Sequence, residues 1–167
     1  SVSASREDIS GEVVVPRMYT DESISGLVTE VADNGFSKDS ESLYLHNITL
    51  AVLPNSIETI GTQAFYNNRS ITFANIPYGV TTIGEQAYLS YSLVSITIPE
   101  TVTTIGRSAL VSPCLAEVYN YSLLNIGLGS SENGYAGYYA KVVYNAGDLT
   151  NGKPKSRIET IGNVNYY

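Results

Sequence analysis

The chain is predicted to be a stacked solenoid, mostly β with short helical or 3-10 segments and a parallel sheet on its concave face. Three observations predict it. A phrase of nearly constant composition returns at residues 57–65, 80–88 and 102–110, as IETIGTQAF, VTTIGEQAY and VTTIGRSAL. Its glycines, Gly61, Gly84 and Gly106, lie 23 and then 22 residues apart, and Pro54, Pro77 and Pro99 upstream keep the same two intervals. Apolar residues two apart precede each of these prolines. Self-similarity at such a period marks units that cannot bury their apolar side alone and do so by stacking, so the repeats should fold as one cooperative unit.

Each position of the repeat has a physical reading. Ala51 and Leu53, Ala74 and Ile76, and Ile96 and Ile98 carry the period of two of a strand with one face inward. Proline ends that strand because it has no N–H to give to a ladder. Three residues later Ile57, Val80 or Val102 points inward, and three further on so does Ile60, Ile83 or Ile105. The glycine that follows serves a turn with positive φ or a close approach of one coil to the next. A small and a large group then close the coil, expected on a short helical turn: Ala64 and Phe65, Ala87 and Tyr88, Ala109 and Leu110. Leu93 and Leu115 restart the cycle.

Both ends depart from this pattern. Residues 1–10 are polar and expected to fray. The solenoid is assigned to 11–127, and a Gly/Tyr-rich cap with a truncated continuation to 128–167. From Gly11, Val13 to Pro16 repeat the strand and proline, and Val28, Val31, Gly35 and Phe36 the second half, around an insertion from Arg17 to Leu27. Ala32 stands where the other copies have glycine. Residues 37–47 read as a longer connection with a solvated loop. After Val118, Asn120 occupies an inward strand position and no proline succeeds it. Leu124, Ile126 and Gly127 echo the phrase. Beyond them are expected a Gly/Ser loop, a short helical piece through Tyr139 or Ala140, and a strand from Lys141 to Tyr144. A last repeat-like fragment is read at 158–162. The start at Ser1 without methionine and the stop on Tyr166 and Tyr167 suggest a piece of a longer protein.

Composition bounds the function. With 43% hydrophobic and 15% charged residues among 167, the chain can bury a sizeable core and is not disordered. A net charge of −7, with nine scattered cations, argues against nucleic acid or anionic membrane as a partner. No apolar stretch is long enough to span a bilayer. The single cysteine, Cys114, precludes an internal disulfide and fits a reducing compartment or a secreted bacterial protein.

The phrase best preserved from Ile96, Ile98 and Pro99 through Val102, Ile105, Gly106, Ala109 and Leu110 resembles the BspA-type leucine-rich repeats, whose period is in the same range. The resemblance covers roughly residues 11–127 and is most specific at 48–118, where three copies stand in register. The segment 134–141, GYAGYYAK, also resembles the stretch commonly found after the repeats in such proteins. The resemblance implies a secreted or surface-attached bacterial or protozoan protein that works in adhesion or binding.

Signals for chemistry are thin. His46 is the only histidine, so a histidine metal cluster is excluded, and a surface or loop position is the better reading. Glu100 and Asp148 have no visible partner for paired-carboxylate chemistry. Cys114 precedes the core residue Leu115 and reads as a buried filler. Gly127 and Gly129 lack the helix and downstream acid of a dinucleotide site and read as a cap loop. Asn47, Asn68 and Asn120 begin glycosylation sequons, which matter only in a eukaryotic secretory pathway. No catalytic residue, metal site or cofactor is expected.

Binding has a more definite surface. If Ala51, Ala74, Ile96 and Val118 point inward, their strand neighbours point out. Leu50, Val52, Phe73, Asn75, Thr97 and Tyr119 are therefore the candidate ligand-binding residues, with Ser95 and Glu117 beside them. A merely solvated face would carry Lys, Glu and Thr at such positions, and exposed aromatics suit recognition. The leading expectation is a non-catalytic surface module that binds an extracellular protein or glycan. The alternative is a structural spacer presenting another domain. An ordered, exposed aromatic face would favour the first; a polar face, or one covered by the chain's own ends, the second.

Overall fold

A computed structural model describes residues 1–3, 9–37 and 47–146, together with the backbone of short strands between 149 and 166; for Asn75 too only the backbone is described. The strands follow the proline rhythm. The first coil holds β1 (Ser10–Val14), a hairpin of β2 (Met18–Thr20) and β3 (Ser25–Leu27), and β4 (Glu30–Val31). The next three coils each pair a longer strand with a two-residue one: β5 (Asn47–Val52) with β6 (Thr59–Ile60), β7 (Phe73–Asn75) with β8 (Thr82–Ile83), and β9 (Ser95–Ile98) with β10 (Thr104–Ile105). β11 (Glu117–Asn120) and β12 (Val142–Asn145) complete the long-strand side.

Stacking turns these strands into parallel ladders along two sides of the solenoid, the long-strand side being divided between two sheets. The long strands pair β1 with β5, and β7 with β9, β11 and β12 in that order. The short strands run β4, β6, β8 and β10. Register follows the repeat, so Ala74 lies beside Ile96 and Ile96 beside Val118. Proline follows β5, β7 and β9, and its carbonyl accepts the N–H three residues on, from Ile57, Val80 and Val102. Parallel strands buried against a shared interior need apolar residues at every inward position, which is what the repeat supplies.

The core is a set of columns running from coil to coil. Ala51, Ala74, Ile96 and Val118 are buried, as are Leu53, Ile76 and Ile98 across from Ile57, Val80 and Val102. Phe36, Phe65 and Tyr88 form an internal aromatic stack, with ring centroids 5.4 and 4.9 Å apart and planes within 16°. Leu110 continues it. Full burial of each such side chain is worth about 1.5–3 kcal/mol. Ile71 joins Leu93 and Leu115 as the third buried residue that opens a coil.

Two expectations about the coil are resolved by geometry. Gly61, Gly84 and Gly106 serve close approach: a Cβ on Gly84 would lie 2.5 Å from the Thr62 nitrogen, and one on Gly106 2.5 Å from the Glu85 nitrogen. The expected helical turn at the small and large pair is instead a tight turn with left-handed residues at Asn34, Gln63, Gln86 and Ser108, φ 54–55°. Helix is excluded there because these amides bond to the neighbouring coil, Phe65 N–H to the Ala87 carbonyl and Tyr88 N–H to that of Ala109. Gln63 Nε2 also donates to Gln86 Oε1 at 2.7 Å.

The insertion after Pro16 is the hairpin β2–β3. Asp21 shapes its turn by accepting the N–H groups of Ser23 and Ile24, and these bonds, with the Tyr19 hydroxyl, hold its carboxyl down at about 2. At the N-terminus Val2 bridges to Val31 within the segment expected to fray. Asn120 is fully buried: it donates to the Leu124 carbonyl and Asn145 Oδ1 and accepts from Ser122, fastening the last turn. A 3-10 turn at Asn133–Tyr135 lies over the end of the short ladder, where the Gly134 carbonyl accepts Leu110 N–H at 2.9 Å. Gly134, and not Gly127, takes the stacked position. Farther on, Leu149–Thr150 (β13) pairs antiparallel with Lys153–Pro154 (β14), and Glu159–Ile161 (β15) with Val164–Tyr166 (β16). The repeat-like fragment there forms an antiparallel pair and not another coil. The loop at 38–46, His46 and Asp148 lie outside the described residues.

Candidate functional site

Alternation on the long strands exposes two outward columns. In the first, Phe73 stands beside Ser95 and Ser95 beside Glu117; in the second, Asn75 beside Thr97 and Thr97 beside Tyr119. Leu50 and Val52 lie on β5 in register with Glu12 and Val14 of β1. Phe73 is 60% exposed and Leu50 36%, Thr97 is exposed, and Val52 and Tyr119 are half-buried. Leu50, Val52, Phe73, Thr97 and Tyr119 thus alternate with the buried residues of their strands, with Asn75 at the matching register position of β7.

The columns are not uniform. Tyr119 stacks on Tyr144 of β12, with centroids 5.2 Å apart and planes at 12°. Its hydroxyl donates to Glu117 Oε2 at 2.8 Å, and burial, then that carboxylate, push the phenol above its ordinary value. Tyr119 is thus partly structural, whereas Phe73 projects freely.

Sequence reasoning missed the corner beside these columns. Tyr78, just past Pro77, is 59% exposed and donates its hydroxyl to Glu100 Oε1 at 2.5 Å. Glu100, read as having no visible partner for paired-carboxylate chemistry, is here the acceptor of a phenol hydroxyl. That bond and the carboxylate charge raise the Tyr78 phenol's pKa. Tyr78, Thr97, Pro99, Glu100 and Tyr121 line a cleft of about 240 Å³. The only available signal was an aromatic residue just past Pro77 and an acidic one just past Pro99, which read as ordinary turn sequence. A second recess of about 520 Å³ opens between the hairpin and the following coils, lined among others by Arg17, Leu27, Ser56 and Glu58.

The opposite ladder has a different character. Its outward residues are Glu30, Thr59, Thr82 and Thr104 in register. Cys114 is exposed rather than a buried filler, because the turn from Ser112 to Leu115 aims it outward while Leu115 enters the core. Among the described residues no cluster of His, Cys, Asp and Glu could hold a metal ion, and no helix is long and apolar enough to cross a membrane.

Comparison with known proteins bears on this geometry. The BspA type leucine rich repeat region matches residues 23–130 in six copies. The chain is similar to the pneumococcal vaccine antigen PcpA, with 24% identity over 71% of this chain and 30% of that one, at a TM-score of 0.56. It is similar also to the leucine rich repeat protein of T. pallidum, with 20% identity over 90% of this chain and 79% of that one, at a TM-score of 0.51. A leucine rich cell surface protein of Faecalibacterium prausnitzii A2-165 shares 18% identity over 95% of this chain and 51% of that one, at a TM-score of 0.44. The comparison with curated proteins gave no match. At these identities the likeness is one of fold, and the chain spans only 30% of the pneumococcal protein's structure.

Proposed function

Because the chain belongs to the BspA-type leucine-rich repeat family, we propose that it is a recognition module of a secreted or cell-surface protein that binds an extracellular macromolecule through its long-strand face, without catalysis. The observation that carries this reading is the contrast between the two ladders. One presents threonines in register; the other presents Phe73 at 60% exposure, with Leu50 on β5 and Tyr78 at its corner. Exposing a phenylalanine on a rigid strand sacrifices burial worth about 2 kcal/mol, and a partner that covers it recovers that energy.

The test is a binding screen of the folded chain against extracellular-matrix proteins and a glycan array. Saturable binding of at least one member is expected. Failure to bind anything would replace recognition with a spacer that presents other parts of a longer protein.

A further inference from the structure

We propose that the cleft between Tyr78 and Tyr121 is a subsite for a cationic side chain, arginine or lysine, of a polypeptide partner. The inference rests on the recognition reading and narrows it to a protein with a basic contact residue. Tyr78, Pro99 and Tyr121 line it together with Thr97 and Glu100, whose carboxylate is fixed by the Tyr78 hydroxyl. A cation over tyrosine faces is attracted by the ring quadrupole, and a carboxylate beside the rings supplies the counter-charge. No lysine or arginine is among the lining residues. Glu117, held against Tyr119 two strands along, adds negative charge on the same side, in a chain of net charge −7.

Size and polarity select this occupant. At about 240 Å³ the cleft falls below the range of drug-sized ligand sites and suits a single side chain. A sugar ring would need several convergent donors and acceptors. Here the Tyr78 hydroxyl is already spent on Glu100, and the one charged lining residue is that carboxylate, which matches a guanidinium or ammonium.

The experiment is an NMR titration of the isotopically labelled chain with acetyl-Gly-Arg-Gly-amide, its citrulline counterpart and a methyl glycoside panel, each to tens of millimolar. Expected are shifts at Tyr78, Thr97, Glu100 and Tyr121 with the arginine peptide, weakened by salt and absent with citrulline. Glu100→Gln and Tyr78→Ala should each weaken binding about two- to fivefold; both residues are exposed, so the variants stay folded. Equal shifts from citrulline, stronger shifts from a glycoside, or none from any probe would overturn the proposal. If the subsite fails while a matrix protein still binds the chain, the recognition reading stands and only the cationic occupant is lost.

Discussion

Gly84→Ala should destabilise the solenoid through its spacing alone. The added methyl would sit 2.5 Å from the Thr62 nitrogen and 2.6 Å from the Gly61 carbonyl carbon, both backbone. The coils must part by about 1 Å before such a contact becomes ordinary. Parting them strains the bond from Gly84 N–H to the Ile60 carbonyl, now 2.7 Å. Overpacking of a filled interior costs about 1–3 kcal/mol, and one or two weakened hydrogen bonds add about 1 kcal/mol. The sum, about 2–4 kcal/mol, corresponds to a Tm lower by about 5–15 °C for a chain of this size. Gly127→Ala is the control, since its methyl would meet nothing closer than Ser130 Cβ at 3.5 Å. Thermal unfolding followed by circular dichroism reads both. A Gly84→Ala protein melting with the wild type, or a Gly127→Ala protein falling equally far, would refute the close-approach argument.

Asn120→Ala removes bonds to Leu124, Asn145 and Ser122 inside the core and should cost about 2–4 kcal/mol in urea denaturation; a loss below about 1 kcal/mol would show that the last turn is held otherwise. Tyr88, buried in the aromatic stack, has its phenol pushed well above the ordinary value by burial. The unfolded chain therefore gives up that proton first as pH rises past about 10. Stability should be intact below about pH 10 and decline above it, less steeply in Tyr88→Phe; equal slopes would contradict this. Expression in a eukaryotic secretory host should give folded protein with a glycan on the exposed Asn47 only, since Asn68 and Asn120 are fully buried. Glycopeptide mapping that finds folded protein modified at either buried asparagine would oppose it. Cys114 should react with a thiol reagent in the native state, at a rate that denaturant barely changes.

Most of the coil was legible because period, proline and glycine each have one dominant physical consequence. Ala51, Ala74, Ile96 and Val118 entered the core because alternation fixes the face of a strand. The left-handed turns were not legible, since glutamine at 63 and 86 carries no positive-φ signal and is held there by hydrogen bonds between coils. Asn120 read as a departure because an amide at a core position shows its partners only once Ser122, Leu124 and Asn145 surround it. Cys114 was misplaced because sequence adjacency to a core leucine says nothing about which way a turn aims a side chain. The corner cleft joins Tyr78, Glu100 and Tyr121 across about two repeat periods, and only stacking brings them together.

The central claim is that one face of the solenoid recognises a partner, and the most direct measurement compares one substitution on each face. Affinity for a partner found in the screen is measured for the wild type, Phe73→Ser on the long-strand face and Thr104→Ala on the short one. The account predicts at least a roughly tenfold loss for Phe73→Ser, as for a buried aromatic anchor, and an unchanged affinity for Thr104→Ala. Unchanged binding by Phe73→Ser, or an equal loss with Thr104→Ala, would contradict it.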